Sequence, residues 1–540
     1  MTTRNIRAIL AADPELGAGN VVTRLLEHGE DPDGLGLTFD TDVDGHPAWQ
    51  PLTLGRLDER VRARAAWYHQ RGVRMRDPIA VWTTSAADVI LNFMALNRLG
   101  AIPALLNGNL PAETAAEYIR RLRTSGVVVD ARHAELLAGR DLGAPILGDV
   151  TEIGLADPAD APPTYRHHPD DPISITHSSG TTGMPKAIVH SHTSLFAATR
   201  RIRLSGPRAQ GTERVLCALP APHTAGILSV NQALCNRAEL VFISSQRGPD
   251  VLAAIESWHP TGVFGFAVTW ADMARFDLSK HDMDSVALWF NTGDCAHEAH
   301  IRPLVNVGSH NTVTREGVVR VAGSTFIDGI GSTEMGHSAF HIAHTKDSNR
   351  YQRCIGKPHV FADTAVLDPD GNPVPPGQVG HLGLKSPTLM LGCWNDSVTT
   401  FRTRLKGYYL TGDLVYTDTD GYYYHVDRAA DSVELGNGAW LHTSWTEERV
   451  LATLPDVVDC TVVSGRIDGE VVTDVLLILR PDADPDADRS AEVRAALGEK
   501  AVHTLRDITI VPDSDIPTGA TGKVRKLVLR ERAAADAGSR

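Results

Sequence analysis

The chain has 540 residues, of which 42% are hydrophobic and 22% charged, and its formal net charge at neutral pH is −14. This length exceeds the ~250–300 residues at which a single hydrophobic core stops growing, so we expect more than one domain. The composition is that of an ordinary globular protein, and the acidic balance argues against a general nucleic-acid binder or a binder of anionic membranes.

The N-terminal segment MTTRNIRAILAADPELGAGN lacks the uninterrupted apolar core of a secretion signal. The most apolar region, Ile79–Leu106, is interrupted by polar residues and predicts a strand, a helix and a strand inside a core rather than a membrane span. The six cysteines are scattered without close pairs, which favours reduced thiols over disulfides. We therefore expect a cytoplasmic protein with no membrane partner.

Strands and helices alternate through the first two thirds of the chain. Strands are predicted at Pro78–Thr83, Gly126–Asp130, Arg214–Leu219, Leu240–Ser244 and Gly262–Phe266, and helices at Ser85–Arg98 and Pro249–Trp258. This alternation indicates parallel sheets covered by helices. From about Gly356, short alternating runs with turn residues predict a small antiparallel β unit, and a further α/β pattern follows Arg428.

A polar loop, HSSGTTGMPKAIVHSH at residues 177–192, lies between the predicted strands Ile173–Ile175 and Ala187–Val189. Its glycine, serine and threonine residues disfavour a helix and offer many hydrogen-bond donors, which is typical of a loop that wraps phosphate. The loop is not a Walker A motif, because Lys186 follows proline and precedes alanine. It is not a G-x-S-x-G nucleophile elbow either. The alternative interpretation is a flexible surface loop.

Four further polar clusters favour phosphate binding by this loop. They are Gly331–Gly336, Tyr409–Asp413, Asp427–Asp431 and Pro517–Lys523. Glu334 is suited to Mg²⁺ and Thr333 to a phosphate oxygen, while Asp413 ends a predicted strand and is suited to a ribose diol. Lys523, on a small loop near the C-terminus, could stabilise the charge of phosphoryl transfer from a separate domain.

The order and spacing of these clusters resemble the adenylate-forming superfamily, which includes acyl- and aryl-CoA synthetases, adenylation domains of peptide synthetases, and firefly luciferase. The resemblance covers roughly Leu52 to Lys526. It implies an α/β fold with a large N-terminal domain, residues 1–428, made of helix-covered β-sheets plus a small β unit. A small mobile α+β C-terminal domain, residues 429–540, is expected to carry the catalytic lysine.

The resemblance also implies the reaction and its partners. With ATP and Mg²⁺ as cofactors, the enzyme is expected to activate a carboxylic acid as an acyl- or aryl-adenylate, release pyrophosphate and pass the acyl group to CoA. One alternative is transfer to a carrier protein or an amine, and another is ATP-driven activation of a nitrogen nucleophile such as nitrite. A third alternative is a non-catalytic nucleotide- or acyl-binding relative. No nucleic-acid partner is expected.

Individual residues acquire expected roles from the same resemblance. Catalysis is expected from Lys523, Thr333, Glu334 and His223, with Glu334 as the magnesium ligand. The nucleotide is expected at Thr176, Ser178, Ser179, Gly180, Thr181, Thr182, Gly183, Lys186, Asp328, Gly329, Ile330, Asp413 and Arg428. Residues 178–186 would contact phosphates, residues 328 and 329 adenine, and residues 413 and 428 the ribose. Lys523 would bridge the substrate carboxylate and the α-phosphate, because both are anionic.

Three positions depart from the pattern of the family. Ile330 stands where an aromatic residue usually stacks on adenine, and Ala430 occupies a hinge position that is commonly Asp or Lys. Glu434 replaces a common lysine in the segment that shapes the tunnel for the second substrate, and this segment is one residue longer. CoA is highly anionic, so an acidic residue there works against its entry. These departures leave the adenylation residues intact and concern the choice of acceptor.

Two groups of histidine and cysteine have spacings that zinc sites use. They are His337, His341 and His344, and Cys295, His297 and His300. Because the chain contains 23 histidines, chance clustering is the favoured explanation, and a pocket lining or loop surface is expected. Trp258, Trp270 and Trp289 are expected in the core, with the lining of the acyl pocket as the alternative.

Overall fold

Two sheets with helices packed against them form most of the chain before residue 428 in the computed structural model, which describes residues 5–178, 184–206, 210–315 and 317–538. Both sheets contain parallel ladders, which confirms the prediction from the alternating strands and helices. In the part of the chain that the structure describes, no helix has the length and apolar character needed to cross a membrane.

The first sheet contains the long apolar segment of the sequence. In spatial order its strands are Gly392–Cys393, Ala187–Ser191, Pro172–His177, Ile102–Asn107, Pro78–Thr83, Gly126–Val129 and Ile146–Asp149. The helix Ala86–Arg98 connects Pro78–Thr83 to its parallel neighbour Ile102–Asn107, so the predicted strand, helix and strand are confirmed. Pro172–His177 pairs antiparallel with Ala187–Ser191, so the described ends of the polar loop, Ser178 and Lys186, lie beside each other.

The second sheet has a parallel half and an antiparallel half. In spatial order the parallel strands are Thr38–Phe39, Glu239–Phe242, Arg214–Cys217, Gly262–Phe266, Leu288–Thr292 and Thr325–Asp328. The antiparallel strands are Phe340–His344, Cys354–Pro358, Tyr423–Arg428, Tyr408–Thr417, Gly380–Lys385 and Asp363–Leu367, with Arg404–Leu405 beside Tyr408–Thr417. The antiparallel half is the β unit predicted after Gly356, and Phe340–His344 joins it to the parallel half. Ser309–Thr314 and Gly317–Ala322 form a separate hairpin.

The described residues form helices before and after residue 428. They are Ile6–Ala12, Val21–Glu27, Leu54–Gln70, Ala86–Arg98, Ala112–Leu122, Ala131–Leu137, Val150–Ile153, Thr224–Asn236, Gly248–Trp258, Ala267–Met273, Glu298–Val305, Ser397–Arg402, Thr443–Thr453, Ser490–Leu497 and Lys526–Gly538. The side chain of Ser85 begins the helix Ala86–Arg98 by accepting a hydrogen bond from the amide of Asp88. Thr199–Leu204 is a π-helix, a wide turn that is frequent at functional sites.

Tryptophan side chains lie in the cores, as predicted. Trp270 and Trp289 are fully buried and Trp258 is nearly so. The rings of Trp270 and Trp289 meet edge to face with centroids 5.8 Å apart, an arrangement that aromatic pairs prefer. The indole N–H of Trp270 donates to the Asn291 side chain at 2.9 Å, so its polar atom is satisfied inside the core.

Residues 433–538 have a core of their own. Val457–Ile467, Glu470–Leu479 and Leu505–Ile510 form one sheet, and Val433–Gly436 pairs with Ala439–Leu441. Apolar side chains of this sheet pack against the helices Thr443–Thr453 and Ser490–Leu497. The α/β pattern predicted after Arg428 is therefore present as a separate layer.

Polar contacts join this layer to the rest of the chain. His297 Nδ1 lies 2.6 Å from the buried carboxylate of Glu448. Asp427 is completely buried and accepts hydrogen bonds from the amide and hydroxyl groups of Thr443. Buried carboxylates need such partners to offset the loss of water, so these contacts fix how the two parts of the chain meet.

Candidate active site

A turn near the C-terminus carries Lys523 to the larger part of the chain. Gly522 within this turn has a φ of +81°, a conformation that glycine adopts readily and other residues rarely. Lys523 Nζ donates to the carbonyl oxygen of Gly293 at 2.8 Å and lies 3.9 Å from the carboxylate of Asp294. The ammonium group is therefore positioned at the end of the strand Leu288–Thr292.

His223 and Thr333 form a hydrogen-bonded pair near this lysine. His223 Nδ1 accepts a hydrogen bond from the amide of Ala225 at 3.1 Å, so Nε2 carries the proton and donates to Thr333 Oγ1 at 3.1 Å. Burial, with the positive charge of Lys523 as a further cause, lowers the pKa of His223 to about 3. His223 is thus neutral at physiological pH and fixes the hydroxyl of Thr333.

Glu334 is a buried carboxylate that is open to a cation. Lys186 Nζ lies 3.6 Å from its Oε1, and among the described residues no group donates a hydrogen bond to its carboxylate oxygens. The backbone carbonyl of Glu334 accepts from the amide of Met390 at 2.9 Å, which holds the residue in place. Because Mg²⁺ requires hard oxygen ligands, this carboxylate has the chemistry that the predicted magnesium site needs.

Asp413 and Arg428 form an ion pair across two neighbouring strands. The prediction that Asp413 ends a strand was wrong, because the strand continues past it to Thr417. They are register partners, and Arg428 Nη1 donates to Asp413 Oδ1 at 2.8 Å. Burial alone would raise the pKa of Asp413, but the charge of Arg428 and the contact with His425 at 3.4 Å hold it well below its ordinary value. The carboxylate is therefore ionised and suited to accept hydrogen bonds from ligand hydroxyls.

The predicted phosphate loop is described at its two ends. Thr176 is buried in the strand Pro172–His177, and its hydroxyl has no hydrogen-bond partner among the described residues. The amide of Ser178 donates to the carbonyl of Lys186 at 3.2 Å, which closes the base of the loop. Ser179, Gly180, Thr181, Thr182 and Gly183 lie outside the described residues. A phosphate contact by these five residues stays a prediction.

The predicted adenine segment is tied into the surrounding protein. Asp328 accepts hydrogen bonds from the Asn291 side chain at 2.6 Å and the amide of Gly329 at 2.8 Å, and burial raises its pKa to about 6. A Cβ at Gly329 would lie 2.4 Å from the carbonyl oxygen of Phe340, so only glycine fits there. Ile330 packs in an apolar cluster that includes Phe340. Contact of this segment with adenine stays a prediction.

Two charged residues that the sequence analysis did not single out lie in the same region. Asp294 lies between Lys523 at 3.9 Å and Arg353 at 3.5 Å. Arg353 is buried and donates to His425 Nδ1 at 2.8 Å. Asp294 ends a Thr-Gly-Asp sequence directly after a strand, the same signal that indicated Asp413. Arg353 has no comparable local signal.

A narrow cleft opens beside these groups. Phe264 and Phe290 line it with ring centroids 5.0 Å apart and form an apolar wall. Gln232 and His337 line a polar part, and Gly293, whose carbonyl accepts from the C-terminal lysine, also belongs to the lining. An organic molecule bound in this cleft would therefore meet an aromatic wall and lie close to the lysine.

Within the described ranges, no three histidine, cysteine, aspartate or glutamate side chains group where a metal ion could bind. His341 stacks on His359 with centroids 4.4 Å apart, and His337 meets His359 at 5.8 Å. His300 Nε2 lies 2.9 Å from the carbonyl oxygen of Val458. The two sequence groups are thus engaged in packing and hydrogen bonding.

Buried neutral histidines should make the protein sensitive to acid. Burial lowers the pKa of His177 and His190 to about 4 and that of His223 to about 3. Because these imidazoles bind a proton more readily in the unfolded chain, the free energy of unfolding should fall as the pH drops from about 6.5 toward 4. The fall should reach up to ~1.4 kcal/mol per pH unit for each group. Urea unfolding over this pH range measures it.

Two variants isolate the contribution of one such histidine. His190→Gln removes a buried imidazole whose Nε2 lies 2.7 Å from the carbonyl oxygen of Thr333. This variant should show a smaller change of the free energy of unfolding with pH than the wild type. His503→Asn changes an exposed histidine and should leave the slope as in the wild type. A wild-type stability that stays level between about pH 6.5 and 4.5 would contradict the argument.

The chain is similar in sequence and in fold to known proteins. A family model described as AMP-binding enzyme matches residues 38–394. A 3-aminoavenalumate diazotase from Streptomyces sp is 46% identical over 562 aligned positions, covering 99% of both chains. A 3-hydroxybenzoate–CoA ligase from Aromatoleum sp. (strain CIB) is 25% identical, covering 89% of this chain and 91% of its own. The crystal structure of an anthranilate CoA ligase with anthranoyl-AMP has the same fold, with a TM-score of 0.83 at 22% identity over 98% of this chain and 99% of the other.

Proposed function

Because this chain belongs to the AMP-binding enzyme family and is an adenylate-forming enzyme, we propose that it uses ATP to activate nitrite and converts an aryl amine into a diazonium ion. The observation that carries this proposal is the 46% identity, over nearly the whole chain, to a 3-aminoavenalumate diazotase. Transfer of an acyl group to CoA, the first expectation from the sequence, becomes the second candidate. Relatives named as CoA ligases or synthases support it at 25% and 26% identity.

The proposed reaction has two steps. A nitrite oxygen attacks the α-phosphorus of ATP, the bond to pyrophosphate breaks, and a mixed anhydride of nitrous acid and AMP forms. The amine nitrogen of the aryl substrate then attacks the nitrosyl nitrogen, and AMP leaves with the electrons of the broken N–O bond while the amine loses a proton. The remaining amine proton moves to the nitroso oxygen, and protonation and loss of this oxygen as water give the diazonium ion. No oxidant or reductant is required.

The proposed roles of the residues follow from this charge balance. Nitrite and the α-phosphate repel each other, and Lys523 lies where a cation would offset their charge. Thr333, held by His223, would donate to the α-phosphate. Glu334 would hold Mg²⁺, which supplies charge neutralisation at the phosphates when bound. Asp413 would accept hydrogen bonds from both ribose hydroxyls.

The remaining nucleotide contacts are proposed for two further segments. The loop 176–186, including Lys186, would bind the β- and γ-phosphates, and residues 328–330 would lie along adenine. Arg428 would keep the ribose-binding carboxylate ionised. We place the reaction in the cytoplasm, where ATP is available and the cysteines stay reduced; those cysteines are free within the described residues.

We propose that the chain divides into domains 1–428 and 429–540 and that both steps take place in the arrangement described here. Arg530 donates to the carbonyl of Ala430 at 3.0 Å and forms an ion pair with Asp431 at 2.6 Å, so the first residues of the second domain are tied to its own C-terminal helix. CoA ligases of the resembling family turn this domain to open a thiol tunnel. Nitrite needs no such tunnel, and the exposed Glu434 in that segment does not favour anionic CoA.

The test supplies the protein with ATP, Mg²⁺ and 3-aminoavenalumate, and then adds nitrite, CoA or neither. We expect AMP, pyrophosphate and a diazonium product with nitrite alone, detected by azo coupling to an added naphthol. Nitrite labelled with a heavy nitrogen isotope should place its nitrogen at the terminal position. Reactions without ATP at neutral pH control for spontaneous nitrosation. A thioester that forms with CoA, together with no response to nitrite, would overturn the proposal and favour the second candidate.

A further inference from the structure

A partly buried arginine lies behind the polar part of the cleft. Arg203 belongs to the π-helix Thr199–Leu204, and its Nε donates to Oε1 of the cleft-lining Gln232 at 3.3 Å. Among the described residues, no carboxylate forms an ion pair with this guanidinium, and its two Nη atoms make no hydrogen bond. Burial lowers the pKa of Arg203, and no acidic neighbour offsets the effect. A partly buried cation without a counter-charge is costly unless a ligand supplies one.

The surroundings of Arg203 are basic or neutral. His337 lines the cleft, and its Nδ1 donates to the carbonyl of Ser338 at 2.8 Å. Burial, with the nearby charge of Arg203 as a further cause, lowers the pKa of His337 to about 4 and that of His359 to about 3, so both rings lie near the guanidinium and are neutral. None of the described residues that line the cleft is acidic. Arg203 therefore lies one hydrogen bond behind the cleft lining, with no acidic lining residue among the described ones to neutralise it.

We propose that Arg203 binds a carboxylate of the organic substrate, so that the aryl amine used by this enzyme carries an acid group at the end opposite its amine. The aromatic wall of Phe264 and Phe290 would hold the ring between this acid group and the end of the cleft near Lys523. The paired N–H groups of a guanidinium match the two oxygens of a carboxylate. The identity of the other end as an amine rests on the proposed function, whereas acid recognition rests on the cleft itself.

The wild-type protein provides the first test, without ATP or nitrite. Calorimetric titration compares 3-aminoavenalumate with its methyl ester, which keeps the ring and the amine but lacks the charge. We expect the acid to bind about 10- to 100-fold more tightly, because a hydrogen bond to a charged group is made only by the acid. Equal affinities for acid and ester would overturn the proposal without any mutation.

A matched pair of variants assigns the effect to Arg203. Arg203→Gln should lower the affinity for the acid by about 10- to 100-fold and change the affinity for the ester by less than about threefold. Retained ester binding also shows that the cleft is folded. Arg201→Gln makes the same charge change at an exposed position of the same π-helix and should keep the preference for the acid. A preference that survives in Arg203→Gln would overturn the assignment.

Activity assays distinguish failure of this inference from failure of the proposed reaction. If wild-type protein forms no nitrite-dependent product but shows an acid preference that depends on Arg203, the proposed reaction fails and the acid site stands. If the acid and the ester give nitrite-dependent product with equal kcat/KM, the reaction stands and the acid site fails.

Discussion

Replacing Lys523 with alanine should lower the rate of adenylation by about two to three orders of magnitude while ATP affinity changes little. The ammonium group is fixed by the carbonyl of Gly293 at 2.8 Å, and its turn contains none of the other residues proposed to bind ATP. A charge that acts mainly when two anions approach each other lowers the barrier more than it strengthens ground-state binding. Nitrite-dependent pyrophosphate release measures the rate, and titration with ATP measures the affinity.

A neighbouring cation supplies the control for this experiment. Arg525 is exposed two residues further along the chain, and Arg525→Ala should keep the wild-type rate. Wild-type pyrophosphate release by Lys523→Ala would refute the role of the lysine. An equal loss of rate and ATP affinity would also speak against it, since that result indicates uniform binding rather than a transition-state effect.

The Asp413→Asn variant should bind ATP about 10- to 100-fold more weakly. The substitution removes the ionised group proposed to accept hydrogen bonds from the ribose hydroxyls. It also removes the counter-charge of Arg428, whose Nη1 donates to this carboxylate at 2.8 Å. Hydrogen bonds to charged groups contribute ~1.5–3 kcal/mol, which corresponds to this range of affinity. Calorimetric titration with ATP measures the loss directly.

A ligand lacking one hydroxyl turns this result into a test of the ribose contact. Wild-type protein should discriminate against 2′-deoxy-ATP, and Asp413→Asn should lose much of that discrimination, because the two changes remove the same interaction. Asp420→Asn, at an exposed turn of the same hairpin, serves as the matched control. If the affinity losses caused by Asp413→Asn and by removal of the 2′-hydroxyl simply add, the hydroxyl does not contact Asp413.

Local sequence patterns predicted much of the fold because the determining interactions are close in the chain. Pro78–Thr83, Ala86–Arg98 and Ile102–Asn107 follow directly from apolar runs and a serine cap. The link between the antiparallel strands and the large sheet depends on Phe340–His344, whose pairing partners are distant in sequence. Such pairing carries no local signal, so the sequence indicated a separate β unit where the structure has a continuous sheet.

The residues of the candidate site were predictable where a charged residue follows glycine in a short polar cluster, and not where burial decides the role of the residue. Asp413 and Lys523 were visible in this way, whereas Arg353 lies in a stretch without such a pattern. Arg201 and Arg203 stand two residues apart in the sequence TRRIRL, and only tertiary packing separates an exposed arginine from one beside the cleft. Conversely, the resemblance predicted that Asp328 lies along adenine, whereas in the structure its carboxylate accepts a hydrogen bond from the side chain of Asn291.

The buried carboxylate of Asp427 couples the stability of the two parts of the chain. Its hydrogen bonds come from Thr443 and Ser444, which belong to the C-terminal layer, and from the amide of its own neighbour Arg428. If the C-terminal layer melted alone, this carboxylate would lose most of its partners while its strand Tyr423–Arg428 stayed folded. Heat should therefore disrupt both parts cooperatively, and the position of Lys523 in one part and the ion pair of Asp413 and Arg428 in the other should be lost at the same temperature.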